Sequence, residues 1–146
     1  MSLSIGVLLI WLSFPVIASA DETFLGNLSQ NQYDSDSITN PYGRYGNPYN
    51  SNSLTNRYGT YGNRYSPKSP NNPYATDTPK LYDQQGNYRG RLSTNPYDLD
   101  SITNPYGRYG SRYSPDSLNN RFGAGNRFDP GSPTNPYGSG WRIEGQ

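Results

Sequence analysis

Two kinds of side chain recur in this sequence at spacings regular enough to act together: aromatic rings and short runs of acidic residues. Tyr42, Arg44, Tyr45, Tyr58, Tyr74, Tyr106, Arg108, Tyr109, Phe122 and Tyr137 are the candidate binding residues. Tyrosines with Asn, Asp and Arg around them could form a row of platforms with polar edges, a chemistry that suits sugar rings. The competing reading is that the same rings pack on proline and on one another to hold the chain together. The acidic runs Asp34-Ser35-Asp36 and Asp98-Leu99-Asp100 put oxygens at alternating positions, as calcium loops do. The glycine and distal glutamate of an EF-hand are missing, so local turn capping is the expected role and no metal site is assigned. Catalysis has little to work with. There is no His and no Cys, so a nucleophile or base would have to be Ser, Tyr, Lys68, Lys80 or a sparse carboxylate, and no Ser-x-x-Lys or Gly-x-Ser-x-Gly arrangement occurs. The expectation is a non-enzyme with no catalytic residues and no cofactor.

The elements that carry these residues begin with a leader. Ile5–Ile17 is an apolar run too short for a bilayer span and interrupted by Ser13 and Pro15. Ala18-Ser19-Ala20 follows as a small-x-small site, and the cut is expected after Ala20, leaving Asp21 first. Residues 1–20 thus read as a signal peptide in a helical state, and the protein as exported, periplasmic or extracellular. The alternative is an uncleaved anchor. Nothing later is apolar enough to cross a membrane. The mature chain keeps the net charge of +1, with its cations spread out, which argues against a nucleic-acid partner.

Aliphatic residues are scarce after position 20: Leu25, Leu28, Ile38, Leu54, Leu81, Leu92, Leu99, Ile102, Leu118 and Ile143. Ordering costs on the order of 1.5 kcal/mol per residue, so any fold is expected to rest on Tyr, Pro and backbone turns, and a largely disordered mature chain is the alternative.

Internal repetition is the strongest signal. DSITNPYGRYG stands at both Asp36–Gly46 and Asp100–Gly110, an offset of 64, which divides the mature chain into modules 21–90 and 91–146, the second slightly truncated. Within each, a unit of 16 residues recurs from Tyr33, Tyr49 and Tyr65, then from Tyr97, Tyr113 and Phe128, the last after a one-residue deletion; Leu81–Gly90 is a divergent fourth unit. The Asn-Pro-Tyr-Gly tetrads at Asn40, Asn104 and Asn135 suit β-turns: Pro presets φ and Asn bonds its own backbone. Turns this frequent leave no room for an ordinary helix between Asp34 and Gly138. Lys80–Ser93 reads as a hairpin around Gln84-Gln85-Gly86-Asn87, and Thr23–Leu28 as an equivalent strand, with pairing between the two copies possible. The fold class expected is a mostly irregular, turn-rich repeat with scattered short β-strands, all-β if ordered.

The phrases Ser114–Asn120 and Asn104–Gly110 resemble those of small bacterial exported proteins with tandem Asn-Pro-Tyr-Gly and Ser-Pro-Asp-Ser repeats, over most of Leu25–Gly140. The resemblance implies an extracytoplasmic bacterial protein and carries no activity. Arg57, Arg112 and Arg121, standing where the pattern has Pro, are expected to loosen the turns. Function is expected to be interaction or structure through Tyr/Asn/Arg faces, with envelope polysaccharide as the candidate partner. Self-association is the alternative, because Tyr-Gly-Arg-Tyr-Gly at Tyr42–Gly46 and Tyr106–Gly110 resembles cohesive sticker chains.

Overall fold

The structure is a computed structural model and describes residues 22–145. The leader, with Ala18, Ala20 and Asp21, lies outside the described residues.

Residues 31–138 hold two ladders of β-turns in which the chain reverses about every third residue. In the first unit the N–H groups of Asp34, Ser37, Asn40 and Gly43 donate to the carbonyls of Asn31, Asp34, Ser37 and Asn40 at 3.1–3.3 Å. Each turn is locked a second time by its own first side chain: Asn31, Asp34, Ser37 and Asn40 accept from the backbone N–H two residues on, at 2.9–3.1 Å. This capping by Asn, Asp and Ser is what keeps those residues out of helices and sheets. The remaining N–H, at the second turn position, bonds to neither, and there proline removes it at no cost: Pro41, Pro48, Pro67, Pro70, Pro73, Pro96, Pro105, Pro115, Pro130, Pro133 and Pro136 all occupy that position. One four-residue step, such as Asn47 N–H to Gly43 C=O at 3.0 Å, separates successive units and makes the period 16. The last unit steps by three instead, Asn126 N–H to Gly123 C=O at 3.1 Å, which is the structural form of the one-residue deletion.

The ladders are tied to one four-stranded antiparallel sheet, and among the described residues no helix occurs. The strands are β1 (Thr23–Leu28), β2 (Lys80–Tyr82), β3 (Tyr88–Arg91) and β4 (Trp141–Gly145), in spatial order β1-β4-β2-β3. The expected hairpin is β2–β3, with Gly86 at φ +88°. Pairing between the copies takes a different form from direct contact of Thr23–Leu28 with its equivalent. β1 and β3 lie at opposite edges, and the copies meet through β2 and β4, where Leu81 faces Ile143. β4 has no counterpart in the sequence reading, because Trp141–Gly145 is short and carries Arg and Glu.

Each edge strand is covered by the start of its own ladder: Asn27 bonds to Asp36 and Ile38, and Arg91 to Asp100 and Ile102, at 2.7–3.1 Å. Each bridge closes part of a strand edge that would otherwise be open to pairing with another chain. Gly26 and Gly90 make the approach possible, with φ of +103° and +96°. A Cβ there would lie 2.6 Å from that of Tyr45 or 2.8 Å from that of Tyr109. The modules also close on each other. Gln30 N–H donates to Pro133 C=O at 3.0 Å, and at the matching place Thr94 Oγ1 donates to Pro70 C=O at 2.7 Å.

The core corrects the expectation of a fold built on tyrosine and proline. Leu25, Leu54, Leu81, Ile143, Trp141 and Tyr61 form it, with Leu28, Ile38, Leu92, Ile102, Leu118 and Ala124 packed around them. Beside it stand the buried serines Ser37, Ser53, Ser69, Ser101, Ser117 and Ser132, one per unit. Few aliphatics go with a backbone whose turn and capping hydrogen bonds are made within a few residues.

Candidate functional site

Each unit presents two rings, both at the third position of a turn and nine residues, or three triplets, apart. Tyr33 and Tyr42, Tyr49 and Tyr58, Tyr65 and Tyr74, Tyr97 and Tyr106, Tyr113 and Phe122, and Phe128 and Tyr137 are 80–95 % exposed. The reading in which these rings pack to hold the repeat together is therefore overturned for these twelve. Each of these rings sits at the third position of a turn headed by a capping Asn or Ser.

Of the sequence-predicted binding residues, Tyr42, Tyr58, Tyr74, Tyr106, Phe122 and Tyr137 stand at such positions. Tyr45 and Tyr109 do not. They stand at the third position of the fifth, glycine-headed turn and face the sheet, Tyr45 edge-on to Phe24 at 5.1 Å and Tyr109 edge-on to Tyr88 at 5.5 Å. They hold the ladders to the edge strands. Arg44 and Arg108 lie over these two structural rings, and Arg108 is further tied to Asp116 at 2.6 Å. The rings left out of the prediction are Tyr33, Tyr49, Tyr65, Tyr97, Tyr113 and Phe128. Their signal was the triplet frame: like Tyr42 and its equivalents, each lies two residues after a capping Asn or Ser.

The residue before each exposed ring is Pro or Arg in all units but the first, where Gln32 precedes Tyr33. Where it is Arg, the turn is intact: Gly59 N–H still reaches Asn56 C=O at 3.0 Å and Tyr58 N–H still reaches Asn56 Oδ1 at 3.0 Å. Arginine at positions 57, 112 and 121 thus does not loosen the turns. Its guanidinium instead lies over the following ring, with Cζ 5.3–5.9 Å from the centroid for Arg57, Arg64, Arg112, Arg121 and Arg127.

Paired rings flank clefts. Tyr49 and Tyr58, with Pro48, Thr55, Asn56 and Arg57, enclose 420 Å³, and Tyr97 and Tyr106, with Pro96, Asn104 and Pro105, enclose 290 Å³. Tyr113 and Phe122 enclose 600 Å³, and a cleft of 710 Å³ runs on from Phe122 to Phe128. Compared with known proteins, the chain matches no family model, no curated protein and no solved structure.

The floors of these clefts are fixed by asparagine. Asn56 uses both ends of its amide, Oδ1 accepting from Tyr58 N–H and Nδ2 donating to Asn50 C=O at 3.0 Å. Asn40, Asn72, Asn104, Asn120 and Asn135 repeat this reach of six residues. An ionised Asp lacks the donor, and a Ser hydroxyl is too short to make both bonds at once across this span.

The acidic runs behave as turn caps. Asp34 Oδ1 accepts from Asp36 N–H at 2.9 Å and Asp98 Oδ1 from Asp100 N–H at 3.0 Å, while Asp100 Oδ2 accepts the Tyr88 hydroxyl at 3.0 Å. Burial, together with that hydrogen bond, pushes the Tyr88 phenol well above its usual range. Asp83, at the hairpin, moves the other way. Burial alone would raise its carboxyl, but hydrogen bonds from Asn87, Arg89 and Gln85 outweigh burial and hold it below the ordinary value. Arg89 meets Asp83 at 3.0 Å and stacks on Trp141 at 5.5 Å, so this pair serves the core rather than chemistry.

Proposed function

We propose that this is a non-catalytic, exported display scaffold whose clefts between paired rings bind polysaccharide of the cell envelope outside the cytoplasm. The observation that carries the reading is the exposure of 80–95 % at twelve rings held on doubly locked turns. Tyrosine, apolar in its body and polar at its tip, is enriched where proteins meet partners. Here the exposed rings are spread in a repeated frame rather than gathered in one apolar patch, which fits a repeating polymer. Rigid turns lower the ordering cost of binding, and the Asn and Thr edges match a ligand whose faces are apolar and whose rim carries hydroxyls. The sparse, locally capped carboxylates and the lack of His and Cys favour no catalytic step.

The test is retention on purified envelope polysaccharide. Binding should fall stepwise as Tyr49, Tyr58, Tyr97 and Tyr106 are changed to Ser, and equal retention of the quadruple variant would refute the reading. Self-association through the same rings is the second reading, favoured by the guanidiniums lying over exposed rings. Concentration-dependent light scattering, abolished by the same substitutions, is its signature.

A further inference from the structure

The clefts differ in charge: the Tyr49–Tyr58 cleft carries one arginine, Arg57, and the largest number stands in the second module. The cleft between Tyr113 and Phe122 carries Arg112 and Arg121, and the larger cleft beyond Phe122 carries Arg121 and Arg127. Because they share Arg121 and Phe122, the two form one groove. No carboxylate lines either part. Asp116, in the same unit, is committed to Arg89 at 3.3 Å and Arg108 at 2.6 Å. Asp129, just past Phe128, caps Gly131 N–H at 2.9 Å. Among the described residues Arg112, Arg121 and Arg127 have no ion-pair partner. The equivalent cleft between Tyr97 and Tyr106 has Pro96 and Pro105 at the corresponding positions and no cation at all.

The larger part of the groove is also specific to the second module. Its lining includes Gly125, beside which Ala124 stands where the first module has the buried ring of Tyr61, and its side is Gln30, pinned from the other module by the bond to Pro133.

Resting on the function proposed above, we infer that the Tyr113–Phe122–Phe128 groove is the subsite for acidic sugar, a uronate-bearing stretch of polysaccharide. Its rings stack on the aromatic faces while its carboxylates meet the guanidiniums of Arg112, Arg121 and Arg127. A guanidinium matches a carboxylate with two parallel hydrogen bonds, and one already lying over a ring has less freedom to lose on binding. The proline-flanked cleft at Tyr97 and Tyr106 takes neutral sugar.

The experiment is a two-dimensional NMR titration of the 15N-labelled exported protein at 0.15 M salt. The probes are a neutral β-linked hexasaccharide, a hexa-uronate of the same length, and hexa-glutamate. The uronate should shift amides of residues 112–134 and bind there about fivefold more tightly than the neutral sugar, the scale of one exposed ion pair. Arg121→Gln should remove that preference while the response around Tyr97 and Tyr106 stays, with Arg112→Gln as the second variant. Equal binding of neutral and acidic sugar in the groove, or an equal response to hexa-glutamate, overturns this inference alone. No shift at any cleft with either sugar overturns the general reading as well.

Discussion

Removing one buried hydroxyl tests how the ladder is held together. Ser101 is fully buried, and its Oγ donates to Ser93 C=O at 2.9 Å, bonds Thr103 Oγ1 at 2.7 Å and accepts from Thr103 N–H at 3.0 Å. In Ser101→Ala the Ser93 carbonyl keeps Thr103 Oγ1, at 3.0 Å, but the Thr103 N–H and the donated bond are lost. At about 1 kcal/mol per bond the cost is about 2 kcal/mol. Ser69 is equally buried, yet its hydroxyl makes only the bond from Asn71 N–H at 3.0 Å, because Asn71 Nδ2 itself reaches the carbonyls of Leu54 and Gly62 at 3.3 and 3.0 Å. Ser69→Ala should therefore cost about half as much, about 1 kcal/mol. Urea unfolding followed by the fluorescence of Trp141, buried against the sheet, measures both. A free-energy gap of about 1 kcal/mol with unchanged m-values is expected. Equal costs, or a neutral Ser101→Ala, would refute the idea that serine hydroxyls rather than turn propensity alone hold successive units.

Tyr49→Ser removes a ring that is 91 % exposed and should change stability by no more than about 0.5 kcal/mol in the same urea assay, whereas a ring that braced the repeat would cost several times that. Gly90→Ala combines φ +96° with a Cβ placed 2.7 Å from Asp100 C=O and 2.8 Å from Tyr109, so a loss above about 2 kcal/mol is expected, with released edge-strand amides visible by hydrogen exchange. Asp83, whose folded pKa is depressed, contributes stability that is fully present above the unfolded carboxylate value of about 3.9 and is lost as pH falls through the lower folded value. Unfolding measured from pH 6 to pH 2 should show this loss, and Asp83→Asn should flatten it.

The offset of 64 between modules, the unit of 16 and the absence of room for helices in the ladders were all legible in the sequence, because they depend on spacing and on turn chemistry confined to a few adjacent residues. The hairpin at Gly86 was legible for the same reason. What the sequence concealed was the triplet frame inside each unit, although Asn, Asp or Ser at the first four turn heads, Gly at the fifth, and proline within the ladders only directly after a head encode it. The capping expected of Asp34 and Asp98 is what the structure shows, and Asn50, Ser66 and Ser114 at the equivalent positions carry the same signal.

Tertiary structure alone decided which tyrosines face solvent. Tyr42 and Tyr45 are three residues apart and look alike in sequence, yet Tyr42 is 95 % exposed while Tyr45 packs on Phe24. Both occupy the third position of a turn, Tyr42 two residues after the capping Asn40 and Tyr45 two after Gly43, and the missing cap by itself does not say that a ring turns inward. The separation comes from where β1 passes, and that depends on β4 arriving from more than 110 residues away to hold Leu25 in the core. Local hydrogen bonds determine the ladder. Contacts distant in sequence determine which side of it is left to meet a partner.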